Sequence, residues 1–354
     1  MFGDRRLGAN RLSKARRRIR AGLVQKLRGT PFYRAIYPST WHALLRPNGL
    51  AKQSNAYFTA RPHPGAGIGH QMANWIAGYW FAQVLGLRYA HSPFPSEKWE
   101  RLLGFGEGEV SVEALRRDQA YRTVSLPIFD EDSVDEVMFI RRIIASYGDQ
   151  RVVFVAEQDQ FYRDQYGVAE NLQGKFSRSG DLARPHFDPS FLNVALHVRR
   201  GDIGKTKKIN NPNLAMRWQS EQYFLRILDS ILQVNSDTRP IRVWLFSQGH
   251  PADFIAFTSR PNVTLCLDVD EQNTFVMMAT ADVLVTSRSS FSYKAALLNT
   301  GVKICPDEFW HSYPPQDPTW IIVEGQAEVS TETLCRALEA SKIDLSRFSV
   351  DSSV

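Results

Sequence analysis

The chain has 354 residues, 43% hydrophobic and 23% charged, enough for about two packed domains of ordinary size and too apolar for a disordered, collagen-like or coiled-coil chain. Its three cysteines, Cys266, Cys305 and Cys335, have no CxxC spacing, which excludes a disulfide-stapled scaffold and a zinc ribbon. The net charge of +6 is uneven: residues 1–30 hold ten Lys or Arg against Asp4 alone, so that arm carries +9 and the rest of the chain −3, which argues against nucleic acid as a partner of the body.

Residues 1–54 read as a basic arm and lead-in, broken at Pro31, Pro38 and Pro47. Residues 11–27 have the pattern of a basic amphipathic helix, suited to an anionic membrane surface. A solvated basic tail explains the same residues. No stretch approaches the roughly 20 apolar residues of a membrane span, and the N-terminus lacks the apolar core of a secretory leader. The expectation is a cytoplasmic chain, peripheral at the membrane under the first reading of the arm.

Residues 55–60 read as a strand, 61–69 as a turn, 72–85 as a helix apolar around most of its circumference, and 87–91 as a second strand. Gly86 stands where a helix C-cap is expected. Further strands are expected at 121–126 and 151–156. The polar stretch 157–188 reads as the crossing between two halves. Beyond it, strands are expected at 191–198, 243–246, 263–267, 283–286 and 302–305, with helices at 220–232, 274–281 and 290–298. Short, unalternating apolar runs separated by helices indicate parallel sheets covered on both faces. The fold class is therefore α/β. The expected division is 55–185 for an N-terminal domain, 186–325 for a C-terminal domain and 326–354 for a closing helix and tail.

Ligands of such sheets bind at the carboxyl ends of the strands, and polar residues collect there in this sequence. His197-Val198-Arg199-Arg200-Gly201-Asp202 follows an apolar run. A guanidinium at that edge offers a planar fork of donors suited to phosphate oxygens. Gly201 permits a sharp turn, and Asp202 can orient an arginine or accept a proton. Strand alternation, if continued, sends Arg199 and Arg200 to opposite faces. A strand end with solvated charges is the plainer reading. Ser287-Arg288-Ser289-Ser290-Phe291-Ser292 lies between a strand and a helix, where hydroxyls and free N–H groups form an anion site; an ordinary serine N-cap looks the same.

Gly65-Ala66-Gly67-Ile68-Gly69-His70-Gln71 also joins a strand to a helix. It is neither a dinucleotide fingerprint, since His70 stands at the sixth position, nor a Walker A loop, which needs Lys-Ser/Thr. It allows close backbone approach to a ligand, or a tight turn that accommodates helix packing. Two DxD strings, Asp130-Glu131-Asp132 and Asp268-Val269-Asp270, have the form of a divalent-metal site against a diphosphate. The second follows a strand and can instead pair with the donors of a guanine.

Together these strings resemble the superfamily of α1,2-, α1,6- and protein O-fucosyltransferases. Residues 197–202 are similar to its HxRRxD motif, residues 281–292 with the trailing Ala295-Ala296-Leu297-Leu298 to its C-terminal motif, and residues 65–71 to its GxGNQ loop. The likeness covers roughly residues 55–310. It implies a GT-B-like fold of two facing Rossmann-like domains. It also implies an inverting transfer of fucose from GDP-fucose to a glycan hydroxyl, with no required metal or other cofactor. Arg199 would hold the β-phosphate. Ser289, Ser290 and the Phe291 backbone would surround the diphosphate, with His197, Arg200, Gly67, Gly69, His70 and Gln71 as further substrate contacts. Either Asp268 or Asp270 would read the guanine. Asp202 is the first candidate base. His70 replaces the family's asparagine, which puts the donor sugar itself in question. The rivals are a metal-dependent glycosyltransferase using Asp268 and Asp270, and a non-catalytic nucleotide- or glycan-binding protein.

Overall fold

Apolar runs of four to seven residues become strands wherever a helix is available to cover each face. The computed structural model describes residues 32–46, 55–156, 164–179, 187–203, 216–234, 239–307, 309–325 and 328–345, with a few positions between 22 and 30. The basic arm therefore lies almost wholly outside the described residues.

In chain order the first half comprises α1 (Pro38–Leu45), β1 (Ala56–Ala60), α2 (Ile68–Val84), β2 (Arg88–His91), α3 (Glu97–Leu103), β3 (Val110–Ser111), α4 (Val112–Asp118), β4 (Arg122–Ser125), α5 (Val134–Ser146) and β5 (Val152–Ala156). After α6 (Ala169–Arg178), the second half follows as β6 (Leu192–His197), α7 (Glu221–Gln233), β7 (Ile241–Ser247), α8 (Ile255–Thr258), β8 (Val263–Leu267), α9 (Glu271–Thr280), β9 (Val283–Val285), α10 (Ser290–Leu298), β10 (Val302–Pro306), β11 (Trp320–Val323) and α11 (Thr331–Leu345). Serine hydroxyls cap several of these helices: Ser111 accepts from Ala114 N, Ser133 from Glu136 N and Ser220 from Tyr223 N.

The strands form two separate sheets, ordered β3-β2-β1-β5-β4 and β11-β10-β9-β6-β7-β8, and every pairing is parallel. The α/β expectation with parallel sheets therefore holds. Numbered from β6, the second sheet runs 3-2-1-4-5-6, the order of a Rossmann sheet. Its direction of winding reverses between β6 and β9, which pair through Val194↔Val283 and Leu196↔Val285. That reversal leaves a crevice at their carboxyl ends. The residues following β6 and β9 are the two anion-suited strings.

The halves meet through helices. Helix α2 packs on α10, and α10 on α6. One apolar cluster runs through the junction, from Trp75, Phe105 and Phe154 to Phe275, Leu284 and Leu297. Trp99 meets the edge of Phe275 across it, with ring centroids 5.4 Å apart. Among the described residues no helix is long and apolar enough to cross a membrane.

Four expectations need correction. Helix α2 begins at Ile68, four residues before the expected start, because Gly67 is extended at ψ 160° and serves as its N-cap. Gly69, His70 and Gln71 are thus in its first turn, not in a loop. The stretch 157–188 holds α6, whose apolar residues Leu172 and Phe176 are one turn apart and buried among polar neighbours. The lead-in contains α1, opened by Pro38 at its first position. Strand β11 lies beyond the expected strands, with Pro314, Pro315 and Pro318 crowding its approach.

Candidate functional site

A cavity of about 800 Å³ opens between the two halves. It is within the size range of sites that enclose small ligands, roughly 300–1,000 Å³. Gly67, Ile68, Gly69, His70, Ala73 and Ala77 of the first half form one wall. The opposite wall comes from the carboxyl ends of β6, β7 and β8 and the N-terminus of α10.

The centre of this wall is a hydrogen-bonded link between the strings that follow β6 and β9. Arg199 Nη1 donates to Ser289 Oγ at 3.1 Å. Ser289 is the N-cap of α10 and accepts from Phe291 N at 3.3 Å. Ser287 Oγ meets His197 Nδ1 at 2.9 Å. One guanidinium and the positive end of a helix therefore face the same space, together with Ser290 and Phe291. The plain N-cap and the anion site are the same construction here: one hydroxyl closes the helix and holds the arginine. Burial, and then the Arg199 charge, push the His197 imidazole down to about 3. It is neutral at pH 7, so the positive charge at this point belongs to arginine and the helix.

Gly201 turns the chain after Arg200 at φ +65°, a region glycine enters without strain. Strand β6 ends at His197, so alternation stops before the arginines and both line the cavity. This corrects the opposite-face expectation. Arg200 lies over the Trp218 ring at 4.2 Å and donates to the carbonyls of Arg199 and Gln219 at 2.9 and 3.3 Å. It holds residues 218–219 against the rim. The Asp202 side chain lies outside the described residues.

The two acids of the second DxD string separate. Asp268 lines the cavity with its backbone at φ +53°, a conformation asparagine and aspartate tolerate better than other residues. The Asp270 carboxylate caps α9, accepting from Gln272 N and Asn273 N, both at 3.1 Å. Of the two acids only Asp268 lines the cavity, because Asp270 is taken up by a helix start. The first string sits in the turn before α5, where Asp130 Oδ1 accepts from Asp132 N at 3.1 Å. Among the described residues no group of three His, Cys, Asp or Glu is arranged to hold a metal ion.

In the glycine-rich segment His70 lines the cavity, whereas Gln71 turns away and donates to Ala66 O at 2.6 Å. Gly69 has a second role. A Cβ there would stand 2.7 Å from the carbonyl carbon of Ser290 and 2.8 Å from Phe291 N. The glycine lets α2 touch the start of α10, so it sets the spacing between the walls.

Several lining residues were not expected. Arg217, Gln248, Trp310 and His311 come from loops, Glu271 from the first residue of α9 and Gln165 from a 3-10 turn ahead of α6. Behind them Lys294 is fully buried. Its Nζ hydrogen-bonds Gln165 Oε1 and His311 Nε2 and lies 4.6 Å from the Tyr293 ring centroid. Burial holds this amine well below the usual lysine range. It also lowers His311, with the Lys294 and His70 charges adding to the effect. The available signal was Lys294 itself, a charged residue inside the apolar run of α10.

No family model matches this chain, and no curated protein matches it. Among solved structures it is similar to the fucosyltransferase NodZ from Bradyrhizobium, at 13% identity and a TM-score of 0.39, covering 70% of this chain and 95% of that one. It is similar to POFUT1 in complex with GDP, at 13% identity and a TM-score of 0.39, covering 71% and 96%. It is also similar to E. coli heptosyltransferase WaaC with ADP, at 12% identity and a TM-score of 0.38, covering 81% and 99%.

Proposed function

We propose that the protein is an inverting glycosyltransferase that moves fucose from GDP-fucose to a glycan hydroxyl without a required metal. The observation that carries this reading is the Arg199–Ser289 link, which aims a guanidinium and the N-terminus of α10 at one point of the cavity between the halves. Breaking a sugar–diphosphate bond builds negative charge on the departing nucleotide, and fixed donors already aimed at that charge lower the barrier without reorganising. In this reading the diphosphate rests on Arg199 and on the backbone at Ser290 and Phe291. Neutral His197 orients Ser287. Asp268 faces the base, since it is the acid of its pair that reaches the cavity. The acceptor hydroxyl attacks from the side of the sugar opposite the diphosphate, beside the α2 wall and His70. A nearby carboxylate receives its proton, and Asp202 remains the first candidate.

A thermal-shift panel of GDP, UDP, CDP and their sugars, with Mg²⁺ or EDTA, tests this reading. GDP and GDP-fucose should raise the melting temperature equally in EDTA. Stabilisation by UDP and not GDP overturns the donor assignment. Stabilisation only with a divalent ion transfers the diphosphate to a metal.

A further inference from the structure

Helix α1 is inverted in polarity. The residues it buries are Ser39, Thr40 and Ala43. Its large apolar residues point to solvent: Trp41 is 52% exposed, Leu44 49% and Leu45 79%. These three stand at i, i+3 and i+4, so they form one stripe. Phe32, just ahead of the helix, is 71% exposed. Six of the twelve exposed large apolar residues among those described lie here or at Val134 and Met138 of α5, along which α1 packs. Scattered surface leucines are ordinary, but a concentrated set marks a contact surface.

The polar side of α1 is fixed to the body. Ser39 Oγ donates to Ser125 O at 2.8 Å. His42 hydrogen-bonds Ser146 Oγ at 2.9 Å and stacks on Tyr147 at 3.8 Å. Trp41 Nε1 donates to Ala35 O at 2.7 Å, so its polar atom is satisfied and only the ring faces outward. The helix cannot roll its apolar stripe inward without breaking these bonds.

The chain directly before this face carries the +9 of residues 1–30, and Arg46 follows Leu45. A second copy docked here would bring another +9 arm toward the first. An anionic surface attracts both the arm and Arg46. We propose that α1 and Phe32 form a docking face for an anionic lipid bilayer, with Leu44 and Leu45 entering the acyl boundary. Trp41 and Phe32 sit at headgroup level, and the +9 charge of residues 1–30 adds attraction to anionic headgroups. This inference is independent of the glycosyltransferase reading.

The test is co-sedimentation of the full chain with phosphatidylcholine vesicles, with and without one-third phosphatidylglycerol, at low and high salt. The variants are Leu44→Asn with Leu45→Asn, and Arg16→Glu with Arg17→Glu and Arg18→Glu. Circular dichroism and size-exclusion chromatography serve as controls. The wild type should pellet with anionic vesicles, and the leucine variant should bind about tenfold more weakly or worse at both salts. The arginine variant should lose binding chiefly at low salt. A wild type that stays in solution, or a leucine variant that pellets like it, overturns the proposal. A wild-type dimer that the leucine variant dissolves also overturns it and assigns the face to a second copy.

Discussion

Replacing Gly69 by alanine adds one methyl group at a close backbone contact between the two halves. The new Cβ would stand 2.7 Å from the Ser290 carbonyl carbon, 2.8 Å from Phe291 N and 2.8 Å from Ser290 O. Ordinary contact begins near 3.5 Å, so about 0.7–0.8 Å must be found. All three atoms are backbone, so no side-chain rotamer relieves the clash and α10 must move away from α2. Overpacking of this kind costs roughly 1–3 kcal/mol, and alanine returns about 0.5–1 kcal/mol of helix propensity over glycine. The net expectation is about 1–2 kcal/mol of lost stability, a melting temperature lower by a few degrees. The same shift withdraws the N-terminus of α10 from the cavity, so GDP binding should weaken by about tenfold, the worth of one hydrogen bond. Gly67→Ala is the internal control: nothing lies within 4 Å of its added Cβ and φ is −64°, so its effect should stay within about 1 kcal/mol. Calorimetric melting and GDP titration of both variants check this. A Gly69→Ala protein that melts at or above the wild type with unchanged GDP affinity would show that the helix junction does not set the site.

Arg199→Lys keeps the charge but loses the planar fork and the geometry of the Ser289 bond, so turnover should fall by about 10²-fold with little change in KM. Arg200→Lys, which loosens the packing on Trp218, should be milder; steady-state kinetics with the opposite ranking would reverse the two roles. His197, lowered to about 3 in the folded chain against about 6.5 unfolded, takes up its proton more readily when unfolded. Stability is therefore lost as pH falls from about 6.5 toward about 3, by up to roughly 1.4 kcal/mol per pH unit from this residue. Urea denaturation between pH 6 and 4 should give a flatter slope for His197→Gln than for the wild type, and identical slopes would contradict this assignment.

Much of this protein was legible from its residues because the deciding interactions are local. Apolar runs such as residues 152–156 and 283–285 are short, unalternating and bounded by polar residues, a pattern that a strand covered on both faces accommodates. The string 197–202 announced a charged strand end, and the serines at 287–292 announced a helix start. Neither could say that the two ends are neighbours. Their adjacency follows from strand order, since β6 and β9 pair although 85 residues lie between the end of the one and the start of the other. The choice between Asp268 and Asp270 was equally invisible, because it depends on which carboxylate α9 takes as its cap. Leu172 and Phe176 are too few to mark α6 in a polar stretch; the apolar cluster they enter, supplied by distant segments, makes the helix worth forming. Gly69 shows the division most clearly. The sequence allowed a ligand contact or a packing glycine, and the approach of a helix more than 200 residues downstream makes Gly69 a packing glycine that also lines the cavity. Period and local propensity travel along the chain and can be read there. Register, strand order and the partner of each buried group arise between distant segments, and only the folded chain decides them.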